Sequence, residues 1–206
     1  RGVPEEEALR TRHVPTTAID DATHFLPHAA QAGREDELRR WNDRLHALGF
    51  KSIGYFNPYV TVNRPGGAAL LEYGRANDLF VRQEGGAEFV TTLVSAGAQP
   101  VVTIDLTKPA AVAWWQRLLQ GALDLGYDGW MLDFGEYIPP TARLSDGTSG
   151  WRAHNAFPVL VARVSYEYMR RVRGDDFMYF VRAGYTGTQS FTPLVWSGDP
   201  SASFDD

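Results

Sequence analysis

The chain contains no cysteine, which excludes a disulfide framework and a thiolate metal site. It has no apolar run of about 18 residues, so we predict no membrane-spanning helix. The net charge of −5, with both signs interspersed, provides neither the basic stripe that binds nucleic acid nor a polybasic membrane patch. Phosphate-binding Gly-rich loops, HExxH zinc motifs and Ser-centred nucleophile elbows are also absent. We therefore predict no cofactor, and carboxylates become the first candidates for chemistry.

The length of 206 residues, 44% of them hydrophobic, suits one compact core and is short for two domains. We predict a single domain over residues 1–206. Six Trp, nine Tyr and eleven Phe residues suit a sugar-binding cleft, in which ring faces stack on C–H surfaces, although core packing uses the same residues. The sequence predicts neither a cellular compartment nor an oligomeric state.

Predicted strands and helices alternate along the chain, which indicates parallel βαβ units. Apolar residues at helical spacing predict three helices, which we place before Gly49, after Pro109 and from Pro158 onward. Residues 140–153 are polar and predict a loop before the third helix. Residues 64–104 break the alternation, beginning at Pro65-Gly66-Gly67, and predict a β-hairpin insertion around Glu84-Gly85-Gly86.

Acidic residues follow several of the predicted strands. Trp130-Met131-Leu132 forms an apolar strand that ends in Asp133 and is broken by Gly135 and Pro139. Asp20 and Asp21 end an earlier strand, and Asp199 follows a later one. Because parallel strands present their carboxyl ends at one edge of a sheet, these carboxylates are expected at a common rim.

The segment from Asp133 to Pro139, Asp-Phe-Gly-Glu-Tyr-Ile-Pro, closely resembles the nucleophile segment of glycoside hydrolase family 31, the retaining α-glucosidases, α-xylosidases and sulfoquinovosidases. Residues 180–189 and 194–199 resemble the family's arginine strand and its acid/base strand. Residues 105–115 resemble the segment that enters the preceding helix. The resemblance covers roughly residues 15 to 206.

This resemblance implies an α/β fold, the (β/α)8 TIM barrel, for which about 250 residues are typical. We therefore expect an incomplete barrel, about strands 2 to 6, with the hairpin insertion after the third strand. The resemblance further implies that Asp133 is the nucleophile, that Asp199 is the general acid and base, and that Arg182 serves the −1 subsite. Arg182 as a surface ion-pair partner remains the alternative.

The remaining candidate residues are substrate-binding ones. Asp20 and Asp21 are expected at sugar hydroxyls, with Asp21 preferred, or else as caps of the following loop. Trp196 and Trp130 are candidates for the floor of the sugar site, with core packing equally open for Trp130. Glu136 is expected in a supporting role. His24 and His28 have zinc-like spacing, but Pro27 lies between them and we predict no metal site.

We thus predict a retaining, exo-acting α-glycosidase whose partner is a carbohydrate. In such enzymes two carboxyl groups lie about 5–5.5 Å apart. The acid must stay protonated, which a neighbouring carboxylate and partial burial of Asp199 beside Trp196 would favour by raising its pKa, whereas the nucleophile needs a lowered pKa. An α-glucoside is preferred, because Ile19-Asp20-Asp21 lacks the Gln that sulfoquinovosidases of the family use and an acidic residue repels a sulfonate. An α-xylosidase, a sulfoquinovosidase and a non-catalytic sugar-binding fragment remain alternatives.

Overall fold

The structure is a computed structural model that describes residues 3–21, 31–94, 97–192 and 194–201. In chain order, its helices and strands are α1 (Glu5–Thr11), β1 (Ala18–Asp20), α2 (Glu35–Ala47), β2 (Lys51–Phe56), β3 (Tyr59–Thr61), α3 (Ala68–Ala76), β4 (Arg82–Gln83), β5 (Val90–Leu93), β6 (Gln99–Thr103), α4 (Pro109–Leu123), β7 (Gly129–Leu132), β8 (Ala142–Arg143), α5 (Gly150–Arg173), β9 (Met178–Val181) and β10 (Leu194–Val195).

The main sheet has five strands in the order β1-β2-β7-β9-β10, and every neighbouring pair is parallel. Strand order therefore follows chain order, as in an arc of a (β/α) barrel. Helices α2, α4 and α5 connect successive strands of the arc, as the βαβ prediction requires. The number of parallel strands agrees with the predicted strands 2 to 6.

The two faces of this sheet carry different side chains. Tyr55, Met131 and Phe180 are register partners on one face, and Gly54, Trp130 and Tyr179 are partners on the other. The face with Trp130 packs on the helices and forms the main core. Met131 and Phe180 are only half-buried, because their face is the inner one of the arc. Asp133 follows Met131 by two residues and therefore shares its face.

Gly129 permits the close pairing of β7 and β9. A Cβ atom at this position would lie 1.7 Å from the carbonyl oxygen of Met178. No side chain fits into that space, so the first residue of the strand that leads to Asp133 has to be glycine.

Helix α5 begins earlier than the sequence analysis predicted. Its first residue is Gly150, and Pro158 lies inside the helix instead of in its first turn. The loop prediction for residues 140–153 is thus wrong from residue 150 onward and also missed β8. Gly150 fits against the preceding loop because a Cβ there would lie 1.8 Å from the carbonyl oxygen of Pro139.

The insertion between β2 and α4 is larger than a hairpin. A tight turn from Arg82 to Glu88 confirms the predicted hairpin, with the Gln83 N–H donating to the Ala87 carbonyl at 2.8 Å. The sequence analysis missed the antiparallel sheet β3-β6-β5 and helix α3 beside it. Pro65-Gly66-Gly67 suggested a break, whereas these residues form a 3-10 turn that leads into α3.

A charge cluster joins the elements at the amino-terminal end of the sheet. The Asp128 carboxylate accepts from the Ser52 N–H at 2.9 Å, contacts His46 Nε2 at 2.7 Å and pairs with Lys51 and Arg173 at 3.1 Å. Burial raises the pKa of Asp128, but the donors of Ser52, His46 and Lys51 outweigh it and hold the pKa below its usual value. The cluster lies at the opposite end of β7 from Asp133.

No helix in residues 3–21, 31–94, 97–192 and 194–201 is long and apolar enough to cross a membrane. His24 and His28 lie outside the described residues. The extent of the domain, residues 1–206, stays a prediction.

Candidate active site

The predicted catalytic residues follow neighbouring strands of the main sheet. Asp133 comes directly after β7, Arg182 directly after β9, and Asp199 shortly after β10. These three strands are adjacent and parallel, so their carboxyl ends lie at one edge of the sheet. The topology thus brings the residues to the same rim.

Asp133 is buried, with 6% of its surface exposed, and its carboxylate is fixed by two hydrogen-bond donors and one ion pair. The Phe134 N–H donates to Oδ1 at 2.9 Å, and Arg182 Nε lies 3.3 Å from the same oxygen. The Tyr55 hydroxyl donates to Oδ2. A buried carboxylate requires such partners, because its desolvation is otherwise too costly.

Burial raises the pKa of Asp133 above its usual value. The hydrogen bond from Tyr55, the charge of Arg182 and the Phe134 N–H act in the opposite direction, and the Glu136 carboxylate adds to the increase. The sequence analysis expected a low pKa at this residue. The difference arises because removing the carboxylate from water has the largest effect.

The backbone after Asp133 turns sharply. Phe134 has φ +64° and Gly135 has φ +109°, both in the region that L side chains rarely adopt. The turn follows directly on the hydrogen bond from the Phe134 N–H to the Asp133 carboxylate. It places the Phe134 ring 4.2 Å below the Arg182 guanidinium.

Arg182 connects the parts of the site. Besides its contact with Asp133, it donates to Glu136 Oε1 at 2.6 Å. A Cβ on Gly198 would lie 3.8 Å from Arg182 Cδ, so the backbone just before Asp199 runs against this side chain. The Arg182 guanidinium therefore contacts Asp133 and Glu136, and its aliphatic stem lies against the segment that carries Asp199.

Asp199 itself is exposed in the structure. The sequence analysis expected partial burial beside Trp196, and the structure differs. Trp196 is half-buried, and its ring packs edge-on against Phe180 at 5.5 Å, on the inner face of the arc. The segment after β10 thus presents Asp199 to solvent at the carboxyl rim.

The two acidic residues at the end of β1 point to opposite faces. Asp20 is the register partner of Ile53 and so shares the inner face with Tyr55 and Met131. Asp21 lies on the helix side and accepts a hydrogen bond from the Tyr127 hydroxyl at 2.6 Å. The preference for Asp21 as the inward residue is therefore reversed, because strand alternation gives that place to Asp20.

Asp20 is exposed at the sheet edge, yet the surrounding protein partly desolvates its carboxylate. Together with the adjacent Asp21 charge, this desolvation raises the pKa of Asp20 to about 6. The carboxylate therefore changes its charge near neutral pH.

Comparison with known proteins decides the family. The model of the family 31 TIM-barrel domain of the glycosyl hydrolases matches residues 30–206. The chain belongs to glycoside hydrolase family 31. The match also confirms the predicted barrel fold.

Similar proteins within family 31 differ in the sugar named for them. The chain is 36% identical to a sulfoquinovosidase of Agrobacterium fabrum over 183 residues, which are 87% of this chain and 26% of that protein. It is 32% identical to an α-xylosidase of Emericella nidulans over 164 residues, 79% of this chain and 20% of that protein. The chain thus spans about a quarter or less of the length of these curated relatives.

A solved structure shows the same fold. The chain resembles a family 31 sulfoquinovosidase from E. rectale in complex with the aza-sugar inhibitor IFGSQ, with 33% identity and a TM-score of 0.72. The similarity covers 80% of this chain and 24% of that one.

Trp130 does not belong to the rim of this family 31 domain. It is fully buried on the helix side and its ring lies 5.2 Å from that of Phe56. Its proposed contact with sugar is therefore excluded, and the alternative of core packing is correct. The reason is strand alternation, which turns Trp130 away from the face of Met131 and Asp133.

Sequence reasoning missed two aromatic residues of the site. Tyr55 lies inside an apolar strand and gave no signal apart from its place two residues before the Asn57-Pro58 strand end. Tyr137 lies within the recognised segment, is 41% exposed, and stacks on Tyr59 at 6.2 Å and edge-on against Phe134 at 5.3 Å. The insertion supplies Tyr59 and therefore helps to hold the exposed Tyr137 ring in place.

Proposed function

We propose that this family 31 domain is the catalytic barrel segment of a retaining, exo-acting α-glycosidase. The observation that carries the proposal is the buried Asp133 carboxylate, held by Phe134, Arg182 and Tyr55 at the rim to which β10 brings Asp199. Such a carboxylate is fixed in position but keeps lone pairs for attack. Family membership and the adjacent strand ends support the pairing of the two aspartates.

The reaction takes place in two displacements. In the first, Asp133 forms a bond to the anomeric carbon while the bond to the aglycone oxygen breaks, and Asp199 protonates that oxygen. In the second, Asp199 removes a proton from water, which attacks the anomeric carbon and releases Asp133. Arg182 stabilises the Asp133 carboxylate in both the starting and final states.

A terminal α-glucoside is our proposed substrate. The inward Asp20 carboxylate suits the hydroxyl groups of a neutral sugar, and its charge above pH 6 disfavours an anionic one. A sulfoquinovoside is the second candidate, because sulfoquinovosidases are among the most similar relatives. An α-xyloside is the third, from the similarity to an α-xylosidase.

The test is a panel of aryl α-glucoside, α-xyloside, α-galactoside and α-sulfoquinovoside with the protein in its full natural length. We expect the highest kcat/KM for the α-glucoside and retention of the α-configuration in the product. A preference for the sulfonated sugar would overturn the choice of sugar only. Cleavage of β-glycosides alone would contradict the proposed reaction.

Covalent trapping separates the enzyme from a sugar-binding relic. A fluorinated α-glycosyl donor slows the second displacement, so the glycosyl ester accumulates on the nucleophile. We expect mass analysis of peptides to place the label on Asp133 in the wild type and to find none in D133N. An unlabelled wild-type protein that still binds the sugar would support the non-catalytic alternative.

A further inference from the structure

The donors that hold Asp133 are divided unevenly between its two oxygens. Oδ1 accepts from the Phe134 N–H and contacts the Arg182 guanidinium, whereas Oδ2 accepts from the Tyr55 hydroxyl. One oxygen is thus held by a backbone donor and a cation, and the other by a single neutral donor. The Tyr55 contact belongs to none of the roles assigned above.

Strand β2 fixes Tyr55 in this position. Tyr55 is the register partner of Met131, so its side chain stands on the face of Asp133, one strand away. Only 5% of its surface is exposed. Burial and the adjacent Asp133 carboxylate raise the pKa of Tyr55, so its phenol keeps the proton and acts as the donor.

We propose that Tyr55 is a positioning residue that aims Oδ2 of Asp133 at the anomeric carbon. The inference rests on the proposed retaining mechanism. Oδ1 keeps the carboxylate anchored through Phe134 and Arg182. Oδ2 forms the bond to the anomeric carbon, the bond from that carbon to the aglycone oxygen breaks, and Asp199 supplies the proton to the oxygen that leaves.

The hydroxyl has a second effect during release of the sugar. When the ester at Oδ2 is cleaved, negative charge returns to Asp133, and the Tyr55 hydrogen bond stabilises this charge. Removing the hydroxyl therefore slows release more than it weakens substrate binding. If the hydroxyl only filled space, its removal would not lower kcat while leaving KM nearly unchanged.

The pH dependence involves the titratable groups that interact electrostatically with Asp133. Within the described part of the chain these are Tyr55 on β2, Tyr59 on β3, Glu136 in the following loop and Arg182 after β9. Asp199 is the further carboxyl group of the proposed reaction. Tyr55 and Arg182 favour the ionised Asp133, whereas Glu136 opposes it.

The experiment compares Tyr55→Phe with the wild type in the protein at its full natural length. We expect kcat to fall about tenfold to a hundredfold, without a matching rise in KM. The acidic limb of the kcat/KM profile should move to higher pH by about one pH unit, because the ionised nucleophile loses a donor. Tyr179→Phe is the matched control. This buried hydroxyl lies on β9, the other neighbour of β7, but it faces the helices and donates to the Ala162 carbonyl at 2.8 Å.

A measurement that does not depend on turnover completes the test. The carboxyl signal of Asp133, in protein labelled with 13C-aspartate and assigned with D133N, is titrated in the wild type and in Y55F. A higher pKa of Asp133 in Y55F, and not in Y179F, supports the role of Tyr55. Unchanged titration and unchanged kcat in Y55F would refute it. Failure of the proposed function is distinguishable, because then the wild type would also form no glycosyl ester.

Discussion

Replacing Arg182 with Met isolates the role of its positive charge. Methionine keeps a long apolar stem over the Phe134 ring and removes the guanidinium that lies 3.3 Å from Asp133 Oδ1 and 2.6 Å from Glu136 Oε1. The two carboxylates then face each other without a cation between them. We expect R182M to raise the pKa of Asp133 further and to reduce activity on the acidic side of the profile.

The size of the effect follows from the geometry. Two unit charges at this separation interact by about 5 kcal/mol at an effective dielectric constant of about 20. Arg182 keeps 25% of its side chain exposed and shares its charge with Glu136. The measured contribution should therefore be lower, about 1.5–3 kcal/mol, as for other hydrogen bonds to charged groups. This corresponds to a shift of about one to two pH units in the ionisation of Asp133.

The assay is the pH profile of kcat/KM for an aryl α-glycoside with wild type, R182K and R182M. A favourable charge lowers the pKa of Asp133, so its loss moves the acidic limb to higher pH. R182K should lie between the other two, because lysine retains the charge but not the planar guanidinium. Superimposable acidic limbs in all three proteins would refute the electrostatic role of Arg182.

Three further predictions concern other parts of the chain. Gly129→Ala should prevent folding, since its Cβ would overlap the Met178 carbonyl, and a folded G129A would show that β7 and β9 can separate. The control is Gly121→Ala in α4, where a Cβ has open space. In urea titrations, G121A should raise the free energy of unfolding by about 0.5–1 kcal/mol. Asp199→Asn should abolish cleavage of poor leaving groups but spare the first displacement with a dinitrophenyl aglycone, and equal losses for both would disprove its role as an acid. Asp128→Asn should lower the free energy of unfolding by about 2 kcal/mol at pH 7. Because the folded pKa of Asp128 is depressed, its stabilisation is present above about pH 4 and disappears as the pH falls through the folded value, so wild type and variant should converge in acid.

The parallel arc could be predicted from the sequence because its signals are local. Apolar strands ended by acidic residues and the helical spacing of α2 and α4 mark the βαβ units before any contact is known. The place of β3 in the antiparallel sheet of the insertion could not be predicted, since it pairs over a long separation, as in Val60 with Val102. Strands β5 and β6 pair locally, as in Leu93 with Gln99, and this pairing was missed. The start of α5 was missed because Pro158 is a strong start signal, and nothing local reveals that Gly150 fits against the Pro139 carbonyl.

The site residues also divide into those with a local sequence signal and those that depend on contacts between distant segments. The roles of Asp133, Asp199 and Arg182 came from motif resemblance, and strand alternation alone would have excluded Trp130 once the inner face was known. The choice between Asp20 and Asp21 required the register of β1 on β2. Recognising Tyr55 required the pairing of β2 with β7, because its contact with Asp133 joins two strands that lie far apart in sequence.

The positive φ of Phe134 has a consequence for attempts to stabilise the protein. Glycine at this position would relieve a backbone conformation that is unfavourable for a side chain by about 1–2 kcal/mol. The same exchange would remove the ring beneath the Arg182 guanidinium and a member of the cluster with Tyr59, Leu93 and Val101. Because losing a buried Phe side chain costs about 3–5 kcal/mol, which exceeds the backbone relief, selection for thermal tolerance would retain the ring on which the guanidinium rests.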